Sequence, residues 1–366
     1  MTVIPMVDLQ RQYKMLKTEI DAAILEVLDD ARFILGPNVS ELEREVAAYH
    51  EVPFAIGVAS GTDALLLALR ACGIGAGDEV ITTPFTFMAT AEVISLLQAR
   101  PVFVDICPDT FNIDPDKIEE KITGKTKAII PVHLFGHPAD MEPLVALSRK
   151  YNIKIIEDCA QAFGARYHGK PVGVFGDCGC FSFFPSKNLA AYGDGGMIIA
   201  RDKETARNIK LLRNHGSEVK YYHKFPGYNS RLDEIQAAVL RVKLRRIDAF
   251  NEARRVNAER YRKSIKRDDV ILPVETEGCS HVYHQFTIRS KKRDIIMKAL
   301  ADNDISSAVY YPVPLHRQEA FARWKTDAEG LLNSEMCAAE VLSLPMFPEL
   351  REEEILHISD VINHAS

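Results

Sequence analysis

Between Val80 and Ala200 the sequence keeps returning to short apolar runs: VITT (80–83), PVFVDI (101–106), AIIPVHL (128–134), IKIIEDC (153–159), CFSFF (180–184) and GMIIA (196–200). Several are rich in Val and Ile and apolar on both faces, the pattern of strands covered on both sides in a largely parallel sheet. The stretches between them, such as ATAEVISLLQA (89–99) and DMEPLVALSRKY (140–151), space their apolar residues as helices do. Parallel neighbours need crossover connections, so strand alternating with helix predicts an α/β fold with helices on both faces of a mostly parallel sheet.

At 366 residues the chain is too long for one ordinary core, and two domains are expected. A helical segment begins near Leu232 and runs past Tyr261, its basic residues interleaved with Asp233, Glu234, Asp248, Glu252 and Glu259. That mixture reads as a solvated helix face. Beyond it come strand-like VYHQFTIRS (282–290) and helix-like RDIIMKALADND (293–304), a smaller α+β region. The expected division is 1–240 for a large α/β domain and 241–366 for a small α+β domain.

Several classes drop out on composition. A net charge of -6 offers no excess of cation to neutralise nucleic-acid phosphates. The N-terminus lacks a basic stretch followed by an apolar run, and no apolar run has the roughly 18 residues that span a membrane. With 47% hydrophobic and 26% charged residues, a folded cytoplasmic protein is expected. Seven cysteines in a chain of this length do not form a disulfide framework. Cys159, Cys178 and Cys180 lack the spacing of zinc sites, and His133 and His137 lie in a turn beside Gly136 and Pro138. No metal site is expected. The GIGAG run (73–77) follows a helix and lacks the G-x-G-x-x-G spacing, so a dinucleotide-binding Rossmann domain is not supported.

The chemistry concentrates between Glu157 and Gly196. Asp158 and Gln161 follow the apolar strand IKII, at the carboxyl end where open α/β sheets bind ligands. Ser182 lies in a later strand, and Lys187 follows it in a loop before Gly193, Gly195 and Gly196. Pyridoxal chemistry needs this set. A lysine amine forms a Schiff base with the cofactor aldehyde and is later freed to move protons. A carboxylate on the pyridine nitrogen keeps the ring protonated and able to accept carbanion charge. On the residues alone, a capping Asp and a solvated Lys are the plainer alternative. Ser60-Gly61-Thr62 precedes the helical ALLLALRAC, placing Gly61 and Thr62 at a helix N-terminus that favours a phosphate. A helix cap without ligand is the alternative there.

Many ordered blocks of the chain, from IPMVDLQRQY and FILGPNVSELE through SGTDALLLAL, GDEVITTPFTF, EDCAQAFGA and SFFPSKNLAAYGDGG to GYNSRLDEIQAA and VYYPVPLHRQEAF, resemble the DegT/DnrJ/EryC1/StrS sugar aminotransferases. The resemblance covers nearly the whole chain and implies the aspartate aminotransferase (fold type I) architecture with pyridoxal 5'-phosphate as cofactor. Carried over, Lys187 is the Schiff-base lysine, Asp158 holds the pyridine nitrogen and Gln161 contacts the ring hydroxyl side. Ser182, Gly61 and Thr62 hold the phosphate. Phe87 stacks on the ring, with Phe85 as the alternative. Asn229 reaches the phosphate from the neighbouring subunit, so the resemblance implies a homodimer with shared sites. Arg231 meets phosphate or substrate anion, or else forms a structural ion pair; Tyr310, Tyr311 and His316 contact the sugar.

Lysine rather than histidine at 187 favours amino transfer over dehydration, and the AQAFGA and KNLAAYGDGG versions are more similar to enzymes that aminate C3 than C4 of the sugar. The resemblance implies glutamate as donor, pyridoxamine 5'-phosphate between two half-reactions, and a UDP- or dTDP-linked keto sugar as acceptor.

Overall fold

A computed structural model describes residues 3–324 and 330–366. Its centre is a seven-stranded sheet. In chain order the strands are β1 (Phe54–Val58), β2 (Glu79–Thr82), β3 (Arg100–Phe103), β4 (Thr126–Ile130), β5 (Lys154–Asp158), β6 (Cys178–Ser182) and β7 (Gly196–Ala200). They lie in the spatial order β1-β7-β6-β5-β4-β2-β3. Pairing is parallel from β6 through β5, β4 and β2 to β3, and only β7 runs against its neighbours. The mostly parallel sheet read from the sequence is therefore present, with β1 added upstream of the runs that announce it.

Successive side chains of a strand point to opposite faces, and here both faces are covered. Ile56, Val80, Ala128, Ile130, Ile156 and Ile198 pack with helices α3 (Gly61–Ala71) and α4 (Ala89–Leu96). On the other face Ala55, Phe181, Met197 and Ile199 meet α2 (Pro37–Tyr49), which follows α1 (Leu9–Asp30). Ile81, Ile129 and Ile155 meet α5 (Met141–Tyr151) on that same side. This double burial is why the runs read as apolar throughout instead of alternating. Helix α6 (Lys203–Leu212) completes the first layer.

The long helix expected from Leu232 past Tyr261 is two helices, α7 (Glu234–Leu244) and α8 (Ile247–Ser264). Arg246 leaves helical geometry at φ -116, ψ 1. The break lets α7 bury Ala237 and Leu240 in the sheet core while α8 buries Ala258 and Tyr261 in a separate one. A straight helix could not face both. Nor are all its cations solvated, as the interleaved charges suggested. Arg245 and Arg246 are exposed and reach Glu19, but Arg254 is buried and donates to the carbonyls of Tyr283, His284 and Met346. Lys243 is buried too, its Nζ 4.2 Å from the centre of the Tyr192 ring. Charge patterning cannot see such partners, because they come from distant parts of the chain.

The second core joins α8 to the antiparallel pair β8 (Phe286–Arg289) and β9 (Val341–Leu344). Helices α9 (Arg293–Asp302) and α11 (Glu352–His364) close over it, with α10 (Leu332–Glu340) leading into β9. Ile4 belongs to this core and bridges to Ile305. No helix among the described residues is long and apolar enough to cross a membrane.

Candidate active site

Parallel strands bring their carboxyl ends to one edge of the sheet, and the loops there enclose a cleft of about 620 Å³. Of the residues singled out in the sequence, Gly61, Thr62, Phe87, Asp158, Gln161, Ser182, Lys187, Tyr310 and Tyr311 all line it.

Asp158 ends β5, buried in the cleft floor. Its Oδ2 accepts from Thr90 Oγ1 at 2.8 Å and its Oδ1 from the Ala160 N–H at 3.1 Å. Thr90 in turn lies 3.0 Å from Thr86 Oγ1. Burial raises the Asp158 pKa, and the bonds from Thr90 and Ala160 and the charge of Lys187 oppose it without cancelling it. Such a carboxyl is short of positive charge, and a protonated ring nitrogen would supply it.

Lys187 lines the same cleft, half-buried in the loop after β6. Burial pushes its amine down to about 8, with Asp158 pulling the other way. An appreciable fraction of the amine is then unprotonated near neutrality, which a carbonyl-attacking nucleophile requires.

The end of the cleft facing α3 suits an anion. Ser60 caps the helix by accepting from the Asp63 N–H at 3.1 Å. The first helical N–H groups have no partner in the preceding turn and carry the positive end of the helix dipole. A Cβ on Gly61 would stand 2.6 Å from Ser182 Cβ, so only glycine lets β6 approach this turn.

The two aromatic candidates separate clearly. Phe87 is 58% exposed in the cleft mouth, its ring 6.2 Å from that of Tyr311. Phe85 is fully buried against Phe111 and does not line the cleft. Gln161 accepts the Phe135 N–H at 2.7 Å and donates to the Tyr311 hydroxyl at 3.1 Å, tying the two walls together.

Three further singled-out residues do not line this cleft. Asn229 is exposed, bridged to Asn214, and Arg231 donates to Asn214 Oδ1 at 3.2 Å instead of joining an ion pair. The ring of His316 is buried with Nε2 3.0 Å from Glu335 Oε1. Conversely, Thr86, Thr90, His284 and Gln285 line the cleft without having been singled out. Thr86 and Thr90 had one available signal, two hydroxyls four residues apart at a helix start.

His133, Glu157 and Cys159 lie close together and buried, and the imidazole and the carboxylate are both engaged within the protein. Glu157 accepts from the N–H groups of Gly173, Phe175 and Gly176, each at 2.7 Å. His133 Nδ1 accepts from the Ala139 N–H, which leaves Nε2 to donate to Glu157.

A mostly parallel sheet with this cleft at the carboxyl ends of its strands is the α/β scaffold of an aminotransferase. Residues 14–363 match the profile of the DegT/DnrJ/EryC1/StrS aminotransferase family. The chain belongs to that family. It is 51% identical to a pleiotropic regulatory protein of Geobacillus stearothermophilus, over 98% of this chain and 97% of the relative. It is equally 51% identical to the UDP-N-acetyl-3-dehydro-alpha-D-glucosamine 3-aminotransferase of Acidithiobacillus ferrooxidans, over 99% and 97%. Among solved structures, DesV of S. venezuelae, in complex with a ketimine intermediate, superposes with a TM-score of 0.96 at 43% identity, covering 99% of this chain and 98% of DesV.

Proposed function

We propose that this protein is a pyridoxal-phosphate-dependent transaminase that moves the amino group of L-glutamate to C3 of a nucleotide-linked 3-keto sugar. The observation that carries the reading is the pairing of an under-compensated buried Asp158 with an amine of lowered pKa at Lys187, in a cleft that also contains the anion-suited helix start at Gly61 and Thr62. The residues fit the cofactor: the Gly61 cradle admits a phosphate beside Ser182 and Thr62, and Phe87 offers an exposed ring face. The 51%-identical UDP-sugar 3-aminotransferase supports both the C3 position and a UDP-linked acceptor. A dTDP-linked 3-keto-6-deoxy sugar belongs in the test panel beside it.

When bound, pyridoxal phosphate supplies an electron sink and carries nitrogen between the two substrates. Lys187 supplies the attacking amine and moves a proton at the donor's Cα and at the acceptor carbon. Asp158, oriented by Thr90 and Ala160, holds the ring nitrogen's proton. Tyr311 and Gln161 brace the wall facing Phe87, and Tyr310 stands at the sugar side.

Gly61→Ala tests the phosphate end. The added methyl forces apart α3 and β6, so the dissociation constant for pyridoxal phosphate, measured by fluorescence titration, should rise by roughly tenfold or more. An unchanged constant would move the phosphate elsewhere.

Because Asn229 is exposed and outside its own chain's cleft, we assign it to the neighbouring subunit's site in a homodimer. Lys187→Ala and Asn229→Ala proteins, each inactive alone, should regain activity when unfolded and refolded together. Random pairing gives one intact site in each mixed dimer, about one quarter of wild-type activity. No recovery, in a mixture shown by mass spectrometry to contain mixed dimers, would place Asn229 outside the shared site.

The relative named as a regulator favours a second reading, ligand sensing without turnover. Steady production of 2-oxoglutarate from glutamate in the presence of a keto sugar excludes it; tight sugar binding with no product supports it.

A further inference from the structure

We infer that Thr86 is a positioning residue: through Thr90 it keeps a hydroxyl proton pointed at Asp158 and so favours the charged form of that carboxylate. The inference rests on the cofactor reading above, in which Asp158 faces the ring nitrogen. It gives a role to a hydroxyl that reading leaves unused.

The three side chains form one unbranched chain of hydrogen bonds. Thr90 Oγ1 lies 2.8 Å from Asp158 Oδ2 and 3.0 Å from Thr86 Oγ1. All three residues are buried. A hydroxyl has one proton to give, and an ionised carboxylate can only accept. Thr90 therefore spends its proton on Asp158, and the contact between the two threonines must have Thr86 as donor. The polarity is set from end to end, Thr86 to Thr90 to Asp158. Were Asp158 protonated on Oδ2, the chain would run the other way, and Thr86 would hold a proton that no described residue accepts. The arrangement thus favours one protonation state of the carboxyl, and each bond polarises the next.

That preference matters because the surroundings of Asp158 pull in both directions. Burial raises its pKa, while Thr90, the Ala160 N–H and the charges of Lys187 and His133 lower it. Thr90 is the strongest of the groups that lower it, and Thr86 holds Thr90 in that role. Glu157 is the adjoining anion, its oxygens taken up by three backbone N–H groups and His133. Tyr311, Cys159 and Cys180 also lie around Asp158, and burial pushes each of them up, so they stay neutral. No proton travels along the hydroxyls during the reaction. They orient and polarise, and Lys187 remains the group that carries protons.

Three measurements test this. A neutron structure of the unliganded, deuterium-exchanged protein at neutral pH should place the Thr90 deuterium between Oγ1 and Asp158 Oδ2. The Thr86 deuterium should lie between the two threonine oxygens. A deuterium on Asp158, or one on Thr90 that points at Thr86, overturns the proposal. In unliganded protein labelled with carbon-13 at the aspartate carboxyls, the Asp158 signal is the one that Asp158→Asn removes. Its titration midpoint should rise by roughly half a pH unit in Thr86→Val, part of the worth of one hydrogen bond. Thr86→Ser, which keeps the hydroxyl, should return it nearly to the wild-type value. In single turnovers with cofactor and L-glutamate, Thr86→Val should be slowed about threefold, the rate equivalent of that shift, with KM changed by less than about twofold. An unmoved midpoint or an unchanged rate in Thr86→Val, or equal shifts in both variants, overturns the proposal. If Thr86→Val does not fold, the wild-type deuterium positions decide. Failure of the wild-type protein to react with glutamate at all would instead sink the cofactor reading, and the deuterium positions would stand apart from it.

Discussion

Replacement of Lys187 by alanine is expected to lower turnover by roughly 10⁴-fold or more, the scale of losing a residue of covalent catalysis. The change should leave the fold intact, because Lys187 sits in a loop, half-buried in a cleft wall, and makes no side-chain hydrogen bond that the core depends on. Removing a buried cation also removes a desolvation cost, so thermal stability should hold or rise slightly. The same substitution should abolish covalent capture: after borohydride treatment, wild-type protein retains the cofactor on the Lys187 peptide and the variant retains none. Substantial residual transamination would mean that another lysine carries the reaction. The amine of Lys243 is also pushed down to about 8, but it lies against Tyr192, outside the cleft.

Asp158→Asn is the second large effect, a loss of roughly 10³-fold, within the range for removing a group that controls a proton. Asparagine keeps the size and the bond from the Ala160 N–H, with its amide donating to Thr90 instead of accepting from it, but it cannot keep a ring nitrogen protonated. The loss should fall on the rate of the half-reaction with glutamate more than on cofactor affinity, since the phosphate end is untouched. The unliganded variant should be at least as stable as wild type, because burial already disfavours the Asp158 carboxylate. A variant that merely binds cofactor less tightly, with a normal rate when saturated, would assign Asp158 a structural role.

These expectations rest on features that differ in how legible they are in a sequence. Asp158, Ser182 and Lys187 lie within one stretch of chain, each tied to a strand end, so the strand pattern places them together. The sheet is legible for a related reason: burial on both faces leaves continuous Val and Ile runs. Thr90 is harder to see, since its value lies in a bond across 68 residues to a carboxylate. The hydrogen-bonded chain of Asn251, Asn188 and His284 is harder still. Asn188, Asn251 and His284 come from a loop, from α8 and from the approach to β8, and nothing local marks any of them as connected. The break between α7 and α8 was hidden because both halves are good helix formers; what separates them is the position of two cores. Phe85 and Phe87 look equivalent in FTF, and only the turn after β2 decides which ring is exposed.

The most direct test of the central claim is to load the purified protein with pyridoxal phosphate, add L-glutamate alone, and follow the visible absorption together with 2-oxoglutarate. The account predicts a visible band on loading, its loss on adding glutamate, and one 2-oxoglutarate per site; a UDP-linked 3-keto sugar added afterwards should restore the band and yield the 3-amino sugar. Absence of a band in loaded wild-type protein, or a band that glutamate leaves unchanged while 2-oxoglutarate stays at background, would contradict it.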